Sequence, residues 1–233
     1  MESKTFTLPL GNKEFIVETG KLAQQCNGSA VVRYGDTVML ATATLAAEPR
    51  PGVNFLPLTV NYQEKMYASG MIKSSRFVKR ETRPSDEKIL MGRVIDRTLR
   101  PLFPKGFFRD IQVMLTTLSY DVEHEHDMIA AIAASVALSI SDIPFDGPTA
   151  TVRVGLIGGE FVLNPTHETR TKSDLDLVVS SDLHNVIMIE AGAKEITEEK
   201  MLEAIVFGKK MGSKNRQIHS GNSEKNGEKE NGI

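Results

Sequence analysis

Tryptophan is absent from this 233-residue chain, and cysteine occurs once, at Cys26. A single thiol cannot close an internal disulfide, which excludes a small secreted scaffold held by cystines; Cys26 reads as a residue that packs like a small hydrophobe. Long apolar runs are missing too. The longest, Met128–Leu138, is about half of what a membrane span needs. The opening Met1-Glu2-Ser3-Lys4-Thr5 lacks the apolar core of a secretory signal, so no membrane partner and a cytoplasmic location are expected. No GxxxxGKS/T, no GxGxxG after a strand, no GxSxG and no HExxH is present, which removes the commonest local signatures of nucleotide, hydrolase and zinc-protease chemistry. With 40% hydrophobic and 25% charged residues, wholesale disorder is excluded as well.

What the chain does have is an uneven charge. The net value of −2 conceals twelve Lys and Arg against four Asp and Glu between Lys65 and Arg109, and sixteen against twenty-six elsewhere. A basic island in an acidic chain is what a polyanion-binding surface looks like in sequence.

The first third reads as strands and tight turns. Thr5–Leu10 and Glu14–Glu18 flank Gly11-Asn12, and Ala30–Tyr34 and Thr37–Leu45 flank Gly35-Asp36. Phe55–Tyr62 is a further strand, and Lys65–Thr82 a loop. Ser85 then caps a helix with Asp86 and Glu87 in its first turn, running to about Arg100 because Pro101 stops it. Ile111–Tyr120 returns to strand. Met128–Ile140 is apolar on every side and is expected as a buried central helix capped by Asp127. Thr151–Leu156 and Glu160–Leu163 flank Gly158-Gly159, Leu175–Ser180 and Val186–Glu190 read as paired inner strands, and Thr197 starts a last helix with Met201, Leu202, Ile205 and Val206 as its stripe. Together these predict an α+β fold, with mixed sheets and hairpins packed on a buried central helix. One domain is expected over 1–211, and a disordered polar tail over 212–233, where only Ile218 and Ile233 are aliphatic.

One constellation stands out. On a helix, Arg93, Arg97 and Arg100 fall within about 60° of one another, opposite Met91, Val94, Ile95 and Leu99. Each guanidinium offers a fork of donors matched to phosphate and keeps its charge at neutral pH. Lys79, Arg80 and Arg83 in the preceding loop extend the positive track, and Phe77 offers a face for a base. The competing reading is internal salt bridging to Asp86, Asp96 and the acidic remainder. The run His124-Glu125-His126-Asp127 has ligand-type residues, yet no distant pair completes a metal spacing, and it reads as a polar loop before the buried helix. Asp174 and Asp176, flanking Leu175, read as solubilising charges at a strand end, with a carboxylate pair as the alternative. No catalytic residue and no metal ligand is assigned.

The strings YQEK at Tyr62–Lys65, KRETRPS at Lys79–Ser85, RVIDRTLRPLFP at Arg93–Pro104, SISDIPF at Ser139–Phe145 and FVLNPT at Phe161–Thr166 resemble the bacterial polynucleotide phosphorylases. The likeness covers residues 4 to 210 and is to the first of that family's two RNase PH-like core domains. It implies phosphate-dependent degradation of RNA from the 3′ end with release of nucleoside diphosphates, the reverse addition of nucleotides, and a ring of three chains around a channel. It also implies that the loop from Arg76 to Arg83 grips single-stranded RNA in that channel. Val78 stands where the family has a second Phe, and Ser74 and Ser75 stand near its usual glycines. In the family, Mg²⁺ and the attacking inorganic phosphate are held by the second core, so their ligands are expected outside this chain. A truncated or frameshifted product, or a fragment, is the corresponding expectation. The alternatives are a non-catalytic RNA-binding or ring-scaffold protein, and a product with no stable fold.

Overall fold

The computed structural model describes residues 3–10, 13–71, 84–121, 123 and 126–223, for 8–10, 13 and 214–223 by backbone alone. The chain divides into two compact units between Gly147 and Pro148. Each unit owns a sheet and a helix to cover it, which gives each its own core.

The first unit carries a six-stranded sheet in the order β1-β2-β3-β4-β6-β5. Its strands are β1 (Lys4–Leu10), β2 (Lys13–Thr19), β3 (Gly28–Tyr34), β4 (Thr37–Pro49), β5 (Leu58–Gln63) and β6 (Arg109–Ser119). The β1–β2 pairing runs to Leu10↔Lys13; the Gly11-Asn12 turn itself lies outside the described residues. Every neighbour is antiparallel except β5 and β6. A parallel pair needs a crossover, supplied here by helix α1 (Asp86–Leu99), which packs on β5. Strand β5 starts later than expected: Phe55 lies outside it and is exposed. Alternation on β4 and β6 turns Met39, Ala41, Ala43, Ile111, Val113 and Leu115 inward. Helix α2 (Asp127–Ser139) packs on β3 and β4, and every residue from Asp127 to Leu138 is buried. From Met128 to Leu138 its sequence is apolar but for Ser135 and leaves no face for water, as expected. Asp127 is not its cap, however. The helix begins at Asp127, with His126 as the preceding residue and no side-chain cap bond.

The second unit holds a four-stranded antiparallel sheet, β10-β9-β7-β8. Its strands are β7 (Ala150–Ile157), β8 (Glu160–Leu163), β9 (Leu175–Ser181) and β10 (Val186–Ala193). Gly158 and Gly159 join β7 to β8 with φ of +58° and +85°, the left-handed pair that a two-residue hairpin requires. Strand β10 is an edge, not an inner strand, and is exposed from Ile189 to Ala193. A five-residue helix α3 (His167–Thr171) precedes β9 and is capped by Thr166.

Helix α4 (Glu198–Ser223) covers the sheet. Thr197 starts it, its Oγ1 accepting from the Lys200 amide. The contact face differs from the expected stripe: Leu202 and Val206 point to water, while Ala204 is fully buried among Val152, Val154, Leu177 and Val179, with Met201, Ile205 and Phe207 beside it. A Cβ on Gly208 would stand 2.9 Å from the Val179 side chain. Close approach of helix to sheet selects Ala204, Gly208 and Gly212, one turn apart, over the larger residues that a reading by hydrophobicity favours. The helix also passes the expected boundary at 211, because Gly212 still lies against Ser181 and Ala150. Among the described residues no helix is long and apolar enough to cross a membrane.

Candidate nucleic-acid interface

Helix α1 is built as its sequence demands. The Ser85 hydroxyl accepts from the Lys88 amide at 3.4 Å, Asp86 and Glu87 occupy the first turn, and Pro101 forces the chain into a 3-10 turn after Leu99. Met91, Val94, Ile95 and Leu99 are buried, and Arg93 and Arg97 are exposed on the other side. Arg100 departs from that face. Its Nε and Nη2 donate to the two Asp96 oxygens at 3.0 and 2.7 Å. Its Nη1 and Nη2 also reach the Leu56 and Leu58 carbonyls at 2.8 and 3.2 Å. A guanidinium holding a carboxylate and two carbonyls has little donor capacity left for a ligand; Arg93 and Arg97 are the two of the three whose side chains are exposed.

Phe77, Lys79, Arg80 and Arg83 lie outside the described residues, as do His124 and Glu125. The ends of their loop are placed. At the far end the Ser85 amide donates to Glu64 Oε2 at 3.3 Å. At the near end a 3-10 turn, Met66–Ser69, is tied down by the Tyr120 amide donating to the Ala68 carbonyl at 2.9 Å.

Beneath these two roots lies a buried polar cluster that the sequence reading missed. Lys88 is 4% exposed, and its ammonium stands 3.3 Å from Glu87 Oε1 and 3.8 Å from Asp127 Oδ1. The same ammonium lies 5.8 Å from the Tyr62 ring centroid. His126, expected in a polar loop, is buried edge-on to Tyr120 with centroids 4.9 Å apart. The Tyr62 hydroxyl bonds Thr117 Oγ1 at 3.1 Å. The signal was available: Lys88 shares a helix face with Met91, Ile95 and Leu99, and a charge on a core stripe implies a buried partner.

Burial pushes the Tyr62 hydroxyl far above its ordinary value near 10; the Thr117 bond opposes this, and the charges of Asp127 and Glu64 reinforce it. Above about pH 10 the unfolded chain therefore releases the Tyr62 proton while the folded chain keeps it, and folding weakens by up to about 1.4 kcal/mol per pH unit from this group. Tyr62→Phe is expected to cost about 1 kcal/mol at neutral pH through the lost hydrogen bond, and to recover that loss by about pH 11. Urea unfolding of both proteins at the two pH values checks this; a stability gap that is the same at both would refute it.

In the second unit Asp176 is no solubilising strand-end charge. One of its oxygens accepts from Arg153 Nη1, and the other from Arg170 Nε and Nη2 at 3.0 and 2.7 Å. Asp174 faces Lys194 at 3.8 Å. Among the described residues no three His, Cys, Asp or Glu side chains gather as metal ligands. Cys26 is half-buried.

Comparison with known proteins agrees with this division of the chain. The sequence profile of the 3′ exoribonuclease family, domain 1, matches residues 11–144, and that of domain 2 matches 147–211; the junction between them falls where the two units meet. Over 207 residues the chain is 55% identical to the polyribonucleotide nucleotidyltransferase of Staphylococcus saprophyticus, covering 89% of this chain and 29% of that protein. It is 50% identical over 205 residues to the enzyme of the same name from Heliobacterium modesticaldum, covering 88% of this chain and again 29% of the relative. The chain thus spans under a third of the length of these curated relatives. In fold it resembles a chain of the Archaeoglobus fulgidus exosome with RNA bound to the active site. That likeness has a TM-score of 0.68 at 19% identity and covers 93% of this chain and 88% of that one. Strand order, helix placement and both profiles lead to one assignment: the chain belongs to the 3′ exoribonuclease family, of RNase PH-like fold.

Proposed function

We propose that this chain is the RNA-gripping first core of a phosphate-dependent 3′-to-5′ exoribonuclease and polyribonucleotide nucleotidyltransferase that degrades mRNA in the cytoplasm as a three-chain ring. The observation that carries the reading is the pair Arg93 and Arg97, turned outward from α1 immediately after a loop containing Phe77, Lys79, Arg80 and Arg83. Guanidiniums repeated along one helix face suit successive phosphates of a threaded strand, and Phe77 suits an unstacked base. The Archaeoglobus relative's bound RNA supports the same class of ligand.

In phosphorolysis, inorganic phosphate attacks the last phosphodiester and a nucleoside diphosphate leaves. Catalysis of such a transfer is positioning and charge neutralisation. This chain's part is the first: holding the strand so that its 3′ end is presented. On this reading a second core outside this chain holds the attacking phosphate and Mg²⁺.

The test is binding of fluorescent oligoadenylate by the full chain. The double variant Arg93→Ala/Arg97→Ala should bind roughly tenfold more weakly, and the slope of log affinity against log salt should fall by about 1.4, two phosphate contacts' worth for a single strand. Unchanged affinity and slope would remove the RNA role. Incubating the chain with RNA, Mg²⁺ and phosphate separates an autonomous enzyme, which releases nucleoside diphosphates, from a chain that only binds RNA or builds the ring.

A further inference from the structure

The 3-10 turn Met66–Ser69 is held from below and apolar above. Ala68 is buried, with its carbonyl on the Tyr120 amide. Ser69 Oγ donates to the Met66 carbonyl at 3.0 Å. Gly70 closes the turn at φ +73°, its amide donating to the Tyr67 carbonyl at 3.0 Å, and the Met71 amide donates to the Met66 carbonyl at 3.1 Å. Three large side chains on this fixed backbone nevertheless face water: Met66 at 40% exposure, Tyr67 at 55% and Met71 at 55%. Exposing an aromatic ring and two thioethers on one turn gains nothing for the fold itself, and large apolar side chains left in solvent this way mark a contact surface.

We propose that Tyr67 is a base-stacking residue for single-stranded RNA, with Met66 and Met71 as its apolar rim. The inference rests on the RNA-binding reading above and adds to it a second stacking position, distinct from Phe77. Charge favours a nucleic acid over an apolar protein surface. The chain passes from Met71 straight into a stretch whose sequence holds Lys73, Arg76, Lys79, Arg80 and Arg83 against Glu81 alone, and the Lys65–Arg109 region as a whole carries twelve basic residues against four acidic ones. Placement agrees: Glu64, two residues before the turn, accepts from Ser85 at the start of α1, so the ring and the arginine helix spring from one point. An exposed aromatic face on a hydrogen-bonded turn, next in sequence to a basic stretch, suits sequence-tolerant stacking, and flexible methionines adapt to either purine or pyrimidine.

The test uses the full chain, a short oligoadenylate carrying 2-aminopurine, and the variants Tyr67→Phe, Tyr67→Leu and Tyr67→Ala. Tyr67→Phe should bind as the parent does. Tyr67→Leu, which keeps apolar bulk but no π face, and Tyr67→Ala should each lose about tenfold in affinity and much of the 2-aminopurine quenching. Their salt slope should stay unchanged, since no phosphate contact is removed. If the parent binds with a steep salt slope and all three variants match it, this inference fails and the RNA reading stands. If the parent does not bind, the RNA reading itself fails. Lost self-association in Tyr67→Ala with RNA affinity intact would make the patch a protein interface and overturn the proposal.

Discussion

Asp127→Ala should lower the unfolding free energy by about 3 kcal/mol, far more than an ordinary helix N-terminal substitution. Lys88 and Asp127 are each only about 5% exposed at the side chain. Lys88 also sits in the first turn of α1, where the helix's positive end disfavours a cation. The ammonium is tolerated because Asp127 and Glu87 flank it and the Tyr62 ring faces it. Removing Asp127 leaves a buried charge with Glu87 as its close carboxylate, and that group is itself 74% exposed, so water screens it. The expected loss is therefore at the low end of the range for a broken buried pair. Lys88→Met should be destabilising for the mirror reason. The double variant Lys88→Met/Asp127→Ala removes both charges and should be clearly less destabilised than the sum of the singles. Urea unfolding of the four proteins measures the cycle. An additive double variant, or an Asp127→Ala protein within about 0.5 kcal/mol of the parent, would show that the pair is not coupled.

That pair also shows where the sequence is legible and where it is not. The limits of α1 are local chemistry, an N-capping serine before and a proline after, and both ends fall where expected. The hairpin at Gly158-Gly159 is legible for the same reason. Arg100 could be half-read: Asp96, four residues earlier, is a ready helical partner, but the Leu56 and Leu58 carbonyls come from a distant loop and strand. The edge position of β10 is a matter of strand order, which no local pattern encodes. The expected α4 stripe holds at Met201 and Ile205 and fails at Leu202 and Val206, because a helix lying close on a sheet needs small residues at the contact, and hydrophobicity alone does not mark them. Lys88 was visible on an apolar stripe, and Asp127 beside an all-apolar helix, but their meeting depends on α1 and α2 converging. Of the expected RNA-binding residues, Arg93 and Arg97 are exposed on α1, Arg100 holds Asp96 and two carbonyls, and Phe77, Lys79, Arg80 and Arg83 lie outside the described residues.

Gly28→Ala should destabilise by about 3 kcal/mol although it adds a single methyl group. A Cβ at Gly28 would stand 2.0 Å from the Ala137 carbonyl oxygen and 2.8 Å from Ser141 Cβ. The first of these is helix backbone, which has no rotamer to change. Either the start of β3 or the last turn of α2 must move. β3 is fixed by pairing, Gly28 against Ala43, and α2 is buried from Asp127 to Leu138, so the shift is resisted on both sides and interior packing transmits it. Gly92→Ala is the control. Gly92 is also buried, but an added Cβ there meets the Val60 carbonyl oxygen alone, at 3.2 Å, and alanine favours the helix by about 1 kcal/mol. That substitution should be close to neutral. Chemical unfolding of the two variants beside the parent should therefore separate them by about 3 kcal/mol, or roughly 6–12 °C in melting temperature for a chain of this size. Equal losses from both would mean that α2 and β3 are not held at this distance, and the close packing of the buried helix on the sheet would have to be abandoned.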